Sequence, residues 1–395
     1  MRTKNIILSL AISLLSCMLF VTSVYADTSK VTTSTPQIKY SAISTNEFIA
    51  TSINNKGQVL GEMCDSGNPC IWDNGKLSLL EPLDGSYHFA ATADINDSGT
   101  VVGRVYKNNA GYYGFVWENG QQKILDSLGG NYSAAYAINN KGQIVGESSF
   151  PSGSSNAILW EDGKIINLGT LGGVYAKALG INDNGQIVGT FTMSSGHSHG
   201  FLWENGKMTD LGTLGGYDSG AYSINNKGQI VGYSYLYKNE NQVACIWENG
   251  QIRNLDNNYL ESSATSINNL GQIAGDIGGF VARFWIDGYI LGREEFNELH
   301  SRASINDKGQ IAGTATLEDG STRAFIAQLI SNTPGDVNND FKVNSSDLSL
   351  LKRYALKMPT DLTTQNADID GDGKLNSKDY SLLKRMILSQ ASAAS

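Results

Sequence analysis

The chain has 395 residues, which is long enough for two domains and a sizeable hydrophobic core. Its 44 glycines and 6 prolines, together with 41% apolar residues, favour an ordered β protein rich in turns over a low-complexity chain. The formal net charge of -9 and the lack of a basic stripe argue against a nucleic-acid partner.

Residues 1–26 have the pattern of a cleavable export signal. Arg2 and Lys4 supply a charged start, the apolar run IILSLAISLLSCMLFV follows, and VYA before Asp27 offers small residues for cleavage. The run is short for a membrane span, and the apolar residues after Cys17 favour simple cleavage over a lipoprotein site. The mature protein is therefore expected to be secreted and free of the membrane.

A Thr/Ser-rich segment at residues 27–36 follows, and three cysteines remain beyond the predicted signal. Cys64 and Cys70 flank the loop sequence DSGNP and could form a disulfide in an oxidising compartment. Cys245 occupies the repeat position of Phe201, which predicts a small buried apolar residue.

A motif of the form IN-x-x-G-Q-I-x-G recurs along most of the chain. The spacings between its first isoleucines are 42, 43, 43, 43, 43 and 38 residues, so an internal repeat decides the architecture. These isoleucines are Ile53, Ile95, Ile138, Ile181, Ile224, Ile267 and Ile305.

Each repeat divides into four short segments with strand patterns. One unit reads GQIVGTF, GFLW, KMTDLG and GAYSIN, and the turn between the second and third segments is ENG, EDG, DNG or IDG. An Asn-Gly or Asp-Gly pair favours a tight hairpin because both central residues can adopt positive φ. Glycines in the LGG sequence then allow the bend before the fourth strand.

Four strands in one repeat of this length match one blade of a β-propeller. QIKYSAIS and EFIATSIN near the N-terminus resemble a half-unit, and GQIAGTA and RAFIAQLI after Ile305 resemble the complementary half. The two halves can complete one blade and close the ring, which removes exposed sheet edges. The sequence predicts an all-β, seven-bladed propeller with four-stranded blades over residues 37–330, with an open solenoid or six or eight blades as alternatives.

One large aromatic residue recurs just before the hairpin turn in six units, and packing between sheets is preferred to sugar binding as its role. The repeats resemble the extracellular HAF-repeat family over about residues 40–330. His199, Gly200 and Phe201 come nearest to the His-Ala-Phe triplet of that family, which implies no defined activity. The recurring aromatics are Trp72, Trp117, Trp160, Trp203, Trp247 and Trp285.

Residues that break the repeat are candidates for chemistry. The sixth unit contains Glu294, Glu295, Glu298 and His300 in YILGREEFNELH, where two carboxylates could serve a glycosidase. A solvated edge is the preferred interpretation, and no catalytic residue is assigned. In the loop SSGHSHG, His197 and His199 lack a third metal ligand nearby in the sequence, so an exposed loop is preferred there too.

A column of tyrosines follows the loop after the third strand of successive units. If exposed, these rings would suit stacking on sugar rings, because a flat apolar face matches the C–H face of a pyranose. The alternative is packing against the next blade. The column consists of Tyr87, Tyr132, Tyr175, Tyr217 and Tyr259.

Two twelve-residue stretches near the C-terminus, DVNNDFKVNSSD and DIDGDGKLNSKD, place oxygen ligands at the positions that a calcium loop uses. Gly373 has the glycine expected at position 6, whereas Phe341 departs from it, so the first loop is expected to bind calcium more weakly. The predicted ligands of two calcium ions are Asp336, Asn338, Asp340, the Lys342 carbonyl, Asn344 and Asp347 in the first loop, and Asp368, Asp370, Asp372, the Lys374 carbonyl, Asn376 and Asp379 in the second.

Each loop runs into a predicted amphipathic helix, with Leu348, Leu351 and Ala355 on one face of the first and Tyr380, Leu383 and Ile387 on one face of the second. A helix before either loop is not expected.

This duplicated loop and helix closely resembles a type I dockerin, with a linker at residues 331–334, the module at 335–391 and a tail at 392–395. The resemblance implies a calcium-dependent fold that binds the cohesin module of a scaffoldin in a cellulosome. Lys378 departs from the usual small hydroxyl residue, which bears on whether both halves bind the same cohesin. The implied cohesin contacts are Ser345, Ser346, Lys352, Arg353, Ser377, Lys378, Lys384 and Arg385.

Three hypotheses about function remain open at this point. The leading one is a secreted, cellulosome-associated, non-catalytic component whose propeller binds plant cell-wall polysaccharide or protein. The second is a propeller-based glycoside hydrolase or polysaccharide lyase in polysaccharide catabolism. The third is a structural or protease-protective subunit.

Overall fold

A computed structural model describes residues 37–43, 48–81, 86–108, 110–237, 241–255, 261–278, 281–286, 289–292, 298–299, 303–316, 322–331, 334–338, 342–358, 360, 362, 364–371 and 373–393. The predicted export signal at residues 1–26 and the Thr/Ser-rich segment lie outside these residues. No helix of the described part is long and apolar enough to cross a membrane.

Six sheets of the molecule are each built from four consecutive antiparallel strands, after a first strand, β1 (Gln37–Ala42), that belongs to a different sheet. The strands of the first three are β2 (Phe48–Ile53), β3 (Val59–Met63), β4 (Pro69–Asp73), β5 (Lys76–Leu79), β6 (Tyr87–Ile95), β7 (Val101–Lys107), β8 (Gly111–Glu118), β9 (Gln121–Ile124), β10 (Ser133–Ile138), β11 (Ile144–Ser149), β12 (Ser155–Glu161) and β13 (Lys164–Gly169). The next three contain β14 (Tyr175–Ile181), β15 (Ile187–Thr192), β16 (Ser198–Glu204), β17 (Lys207–Asp210), β18 (Gly215–Ile224), β19 (Ile230–Leu236), β20 (Gln242–Glu248), β21 (Gln251–Asn254), β22 (Ser262–Ile267), β23 (Ile273–Ile277), β24 (Val281–Ile286) and β25 (Tyr289–Gly292).

The seventh sheet joins the two ends of the propeller. It contains β26 (Glu298–Leu299), β27 (Ser304–Ile305), β28 (Gln310–Thr316) and β29 (Thr322–Ile330). Both β26 and β27 pair with β28, and β1 pairs antiparallel with β29 from Gln37 opposite Ile330 to Ala42 opposite Phe325. The predicted seven-bladed propeller with four-stranded blades is therefore confirmed.

The turn after the first strand of each whole blade shows where the blades divide. The Asn54 N–H donates to the Gln58 carbonyl, and Asn54 Oδ1 accepts the N–H groups of Lys56 at 3.1 Å and Gln58 at 3.0 Å. Gly57 has φ +85°, which favours glycine. This tight turn keeps EFIATSIN and the following strand in one sheet. Only QIKYSA therefore closes the ring, by pairing with β29 in the sheet of β26 to β29, and the predicted contribution of EFIATSIN to this blade is wrong.

Side chains between neighbouring sheets form the core. Phe115, Phe201 and Phe284 are fully buried at equivalent places in the second, fourth and sixth blades. Trp160 and Trp247 are only 5% and 4% exposed, and their indole N–H groups donate to backbone carbonyls of the preceding blade at 2.8 and 2.9 Å. The packing interpretation of these tryptophans is confirmed.

The hairpins between the third and fourth strands have the predicted turn chemistry. Asn74 and Gly75 have φ values of 47° and 88°, and Asn205 and Gly206 have values of 52° and 78°. Two consecutive positive φ values are typical of a type I′ turn, whose twist matches the flanking strands.

Cys64 and Cys70 are separate thiols, so the possible disulfide between them is not formed. Cys70 lies opposite Gly61 in the strand register, and its thiol donates to the Gly61 carbonyl at 3.6 Å, while Cys64 is exposed in the turn beyond. Burial raises the pKa of the Cys70 thiol to about 12. Cys245 is fully buried opposite Gly232, as predicted.

The C-terminal region contains α1 (Ser345–Ala355), α2 (Thr364–Ala367) and α3 (Ser377–Ala393). Their core consists of the buried residues Val337, Leu351, Ala367 and Leu383, with Leu348, Tyr380 and Ile387 packed against it. Ala355 is exposed, so its predicted place on the buried face is wrong. The one-turn helix α2 directly precedes the second loop, where no helix was expected.

Candidate functional site

The first candidate calcium loop is organised by the carboxylate at its last position. Asp347 is fully buried, and its Oδ1 accepts the N–H groups of Val337 at 2.9 Å and Asn338 at 3.3 Å. Its Oδ2 accepts the N–H of Asn344 at 2.8 Å, while the Asn344 side chain caps α1. Asp336 is also fully buried. Asp340 and Phe341 lie outside the described residues.

The second loop repeats this arrangement. Asp379 accepts the N–H groups of Ile369 and Asn376, both at 2.9 Å. Carboxylate oxygens of Asp368, Asp370 and Asp379 lie within 4.8 Å of one another, and this is the one such group of metal-ligating side chains in the described part of the chain. Gly373 has φ +78°, as its loop position requires, and Asp372 lies outside the described residues.

These donor sets fit a hard divalent cation. Calcium prefers six to eight oxygen ligands, and three carboxylates of the second loop lie together, while Asp336 and Asp347 are buried at the first and last ligand positions of the first loop. Three carboxylates this close would repel one another without a cation between them. The loops therefore fit calcium, which would be held by the predicted ligands.

Lys378 occupies an informative place beside the second loop. Its ammonium group forms an ion pair with Asp370, one of the clustered carboxylates, and its side chain is 65% exposed. The first loop has Ser346 at the corresponding position. The two halves therefore differ in charge at a position that adjoins both the metal ligands and the predicted cohesin contacts.

Replacing Lys378 by serine is expected to raise the calcium affinity of the second loop about threefold to tenfold, because a positive charge next to Asp370 is removed. Calcium titration calorimetry on the full chain measures this change. Lys384→Ser removes an equal charge from the exposed side of the same helix and should leave the affinity within a factor of about two. Equal effects of both substitutions would show that the ion pair does not oppose calcium.

The eight predicted cohesin-contact side chains are all exposed. In each half the two loop-end residues and the Lys-Arg pair are seven residues apart, so a helix places them on one face two turns apart. Leu351 and Leu383 point into the core instead. Both halves thus present comparable surfaces.

The two faces of the propeller differ in how much they vary. One face, here called the uniform face, contains the IN-x-x-G turns and the Asn-Gly or Asp-Gly hairpins. The opposite face, here called the variable face, contains the loops between second and third strands and the connections to the next blade. Loops that differ from blade to blade are the places where a repeat protein can build a specific site.

A closed circle of hydrogen bonds lines the channel mouth on the uniform face. The first asparagine of each motif donates from Nδ2 to the backbone carbonyl of the same asparagine in the next blade, at 2.8 to 3.1 Å. The bond from Asn306 to Asn54 connects the two ends of the propeller. The members of this first circle are Asn54, Asn96, Asn139, Asn182, Asn225, Asn268 and Asn306.

A second circle lies directly beside the first. Each following Asn or Asp offers its Oδ1 to the backbone N–H of the preceding blade, at 2.7 to 2.9 Å. The polar groups of this mouth are therefore occupied in joining blades, a role that the sequence analysis did not assign. The members of this second circle are Asn55, Asp97, Asn140, Asp183, Asn226, Asn269 and Asp307.

Asp94 is a charged residue directly before the motif isoleucine, where four other blades have serine. Three of these serines accept the isoleucine N–H of the next blade. Asp94 Oδ2 accepts the Ile138 N–H of the next blade at 3.0 Å, as Ser266 Oγ accepts the Ile305 N–H at 3.2 Å. Asp94 Oδ1 also accepts a bond from Ser52 Oγ at 2.7 Å. Burial raises the pKa of the Asp94 carboxyl above its ordinary value.

Asp94→Ser is expected to stabilise the protein relative to wild type progressively as the pH rises from 4 to 7. The unfolded chain releases its Asp94 proton near pH 4, whereas the folded chain keeps it to higher pH, so wild type loses stability over this interval. Thermal unfolding of both proteins across the interval measures the difference. Ser266→Ala removes the equivalent bond without a carboxyl, so its effect should not change with pH, and a pH-independent effect of Asp94→Ser would contradict the expectation.

The five predicted tyrosines do not form one exposed ring. Tyr132 and Tyr175 are half-buried and donate to the carboxylate of Glu147, which is 3% exposed. Tyr87 is half-buried and accepts a bond from the Lys107 ammonium at 3.4 Å. Tyr217 is 56% exposed, and Tyr259 lies outside the described residues.

Glu147 is the centre of a buried polar network near the variable face. Tyr136 donates to it at 2.5 Å in addition to Tyr132 and Tyr175, and Arg104 donates to the Tyr132 hydroxyl at 3.4 Å. Burial, followed by the charge of Glu147 for Tyr136 and by the hydrogen bond to Glu147 for Tyr175, raises the pKa of both tyrosines. Three hydroxyls satisfy and enclose this carboxylate, so the network stabilises the junction of the third and fourth blades.

The other singled-out residues are placed as follows. Glu294, Glu295 and His300 lie outside the described residues, and only the backbone of Glu298, in β26, is described. His197 and His199 each approach a different carboxylate, Asp218 at 3.4 Å and Asp210 at 2.9 Å.

Comparison with known proteins supports both parts of this description. Residues 334–388 match the family model of the Dockerin type I domain, a calcium-binding domain whose partner is a cohesin. No curated protein is significantly similar to this chain in sequence.

Solved structures resemble the propeller at low sequence identity. A catalytically inactive virginiamycin B lyase from Staphylococcus aureus, solved with quinupristin, is 14% identical with a TM-score of 0.51, covering 75% of this chain and 100% of that one. The β-propeller domain of the Trilobed protease from Pyrococcus furiosus is 12% identical with a TM-score of 0.52, covering 73% of this chain and 100% of that one. These similarities establish the fold alone.

Proposed function

We propose that this protein is a secreted cellulosome component that docks onto a scaffoldin through its C-terminal dockerin. The observation that carries the proposal is the duplicated surface of α1 and α3. Each helix presents two loop-end residues and a Lys-Arg pair, at matching spacing and exposed on its surface. A cohesin that recognises serine at this loop position should prefer the first half of the dockerin, because the second half has the charged Lys378 there.

Two calcium ions would be held by the twelve predicted ligands, six in each loop. Calcium supplies the positive charge that allows several carboxylates to share one loop. Asp347 and Asp379 fix the loop backbones by accepting N–H groups, and the N-cap of α1 then sets the direction of its helix. Cohesin binding would therefore depend on calcium through the shape of the helix pair.

The proposed role of the propeller is to bind polysaccharide on its variable face. The uniform face uses its polar side chains in the two circles of hydrogen bonds, whereas exposed aromatic and apolar side chains occur on the variable face. Tyr112, Val174 and Tyr217 are 39%, 57% and 56% exposed there. The enzymatic alternative gains no support from Glu147, because this carboxylate is enclosed by tyrosines.

Titration calorimetry with a panel of type I cohesins tests the docking proposal. At least one cohesin should bind the full chain in calcium. Combining Lys352→Ala, Arg353→Ala, Lys384→Ala and Arg385→Ala should weaken binding at least about 100-fold, because hydrogen-bonded charged contacts on both helices are lost. Lys141→Ala with Lys227→Ala removes exposed charges from the propeller and serves as the control. Absence of binding to every cohesin would refute docking, and full binding by the fourfold variant would refute the contact surface.

Secretion is tested separately by N-terminal sequencing of protein recovered from the culture medium of an expressing bacterium. A mature chain that begins at Asp27 would support export and cleavage after Ala26. Retention of residues 1–26 on a cell-bound protein would contradict it.

A further inference from the structure

The junction of the fourth and fifth blades presents an aromatic ring that is both exposed and held in place. Tyr217 is 56% exposed, near the start of β18 on the variable face. The His197 ring stacks on it, with ring centroids 4.9 Å apart and an angle of 26° between the planes. Although His197 stacks on it, Tyr217 stays 56% exposed, so much of its side chain is accessible to a ligand.

Hydrogen bonds fix the surroundings of this ring. Asp218 Oδ1 accepts the Ser198 N–H at 2.7 Å, and Asp218 Oδ2 lies 3.4 Å from His197 Nδ1. Ser198 in turn shares a side-chain hydrogen bond with Thr192 at 2.9 Å. The aromatic ring and the carboxylate are thus positioned before any ligand arrives, which lowers the entropic cost of binding.

The groups gathered here match the chemistry of a sugar. A tyrosine ring offers a flat apolar surface to the C–H face of a pyranose. A carboxylate accepts hydrogen bonds from hydroxyl groups, and an imidazole can donate or accept one. Val174, which is 57% exposed, lies in the same blade as His197, and its N–H bonds to the Thr192 carbonyl at 2.8 Å. Because Tyr217 is exposed at the surface rather than enclosed in a cavity, it is accessible to a unit within a polymer chain.

We propose that Tyr217, His197 and Asp218 form a binding subsite for a neutral polysaccharide chain. This inference rests on the proposed polysaccharide-binding function of the propeller and assigns it to one place. Asp210 and Asp218 both lie beside the histidines, so the negative charge of an acidic polysaccharide would be repelled. Uncharged pyranose units are therefore the expected ligands.

Affinity electrophoresis of the full chain tests the subsite. The gels contain hydroxyethylcellulose, glucomannan, neutral arabinoxylan or, as the acidic probe, polygalacturonate. Wild type should be retarded by at least one neutral polymer and not by polygalacturonate. Tyr217→Ala and Asp218→Asn should each weaken the retardation about tenfold, while Tyr217→Phe, which keeps the aromatic face, should retain most of it. Tyr354→Ala is the control, because that tyrosine is 42% exposed but lies in α1, outside the propeller.

The outcomes separate this inference from the function on which it rests. No retardation of wild type by any polymer would refute polysaccharide binding itself. Retardation of wild type that Tyr217→Ala and Asp218→Asn leave unchanged would refute the subsite and leave the function standing. Binding to polygalacturonate alone would overturn the neutral ligand class. Thermal unfolding of each variant verifies that it is folded, and Asp218→Asn, which can still accept the Ser198 N–H, provides a second route to the answer if Tyr217→Ala is unstable.

Discussion

Chelation of calcium by EGTA is expected to weaken cohesin binding by the full chain at least ~100-fold, while thermal unfolding of the propeller stays unchanged. Asp336 and Asp347 are fully buried, and three carboxylates of the second loop lie within 4.8 Å of one another. Without a cation the clustered carboxylates repel one another, so the loops should open and release α1 from α3. Calorimetric binding and far-ultraviolet circular dichroism, with and without EGTA, measure the two parts of this result.

Asp347→Ala provides the corresponding single-residue test. It removes a predicted ligand together with the acceptor of three backbone N–H groups, so binding should fall even in saturating calcium. Ser349→Ala, on the exposed side of the same helix, is the matched control and should bind as wild type. Undiminished cohesin binding after EGTA treatment would contradict a calcium-organised dockerin, as would normal calcium affinity in Asp347→Ala.

Features that depend on neighbouring residues could be predicted well from the sequence. The Asn-Gly hairpins follow from the ability of both residues to adopt positive φ, and Asn205 and Gly206 do so at 52° and 78°. The calcium loops follow from ligand spacing, because the geometry of a single short segment decides them. Ala355 shows the limit of this reasoning, since helical periodicity alone cannot say how far the buried stripe of a helix extends.

The division into blades does not follow from the repeat alone. Each repeat contains two connections between strands, and the sequence pattern does not show which of them crosses from one blade to the next. The IN-x-x-G turn pairs its flanking strands directly, whereas the connection after the outer strand crosses to the next blade. The circles of asparagine bonds are invisible in a single repeat for a related reason. Asn54 bonds to Asn96 in the next blade, so its partner exists only when neighbouring sheets take their places around the axis.

The five predicted tyrosines do not occupy equivalent positions in their blades. Tyr132 and Tyr175 lie six residues before the isoleucine of their motifs, and both turn inward to Glu147. Tyr217 lies seven residues before Ile224, in a stretch of β18 where the register with β19 shifts between Gly215 and Ser219, and Asp218 has the position that Tyr132 and Tyr175 have in their blades. The exposed tyrosine and the buried pair therefore do not belong to one column of equivalent residues.

Gly146→Ala is expected to destabilise the propeller by about 3 kcal/mol or more, although the substitution adds a single methyl group. A Cβ at this position would lie 1.9 Å from the carbonyl oxygen of Ala134 on the adjacent innermost strand. The obstacle is backbone rather than a side chain that can rotate away, and it lies beside the bulge between Ala135 and Ala137. The corresponding glycines of other blades face similar carbonyls, so this residue permits the bulge that brings the innermost strand to the channel.

A second glycine of the same blade separates this steric effect from a general effect of replacing glycine. Gly142 has φ +81° in its turn, and a Cβ there would have no atom within 4 Å. Gly142→Ala should therefore cost only the backbone strain of about 1 kcal/mol. Urea unfolding of both variants, monitored by tryptophan fluorescence, gives the two free energies of unfolding. Equal losses would mean that positive φ rather than close backbone contact governs these glycines. A clearly larger loss of unfolding free energy for Gly146→Ala than for Gly142→Ala would show that the second glycine of the motif lets the second strand of the blade pack closely against the innermost strand.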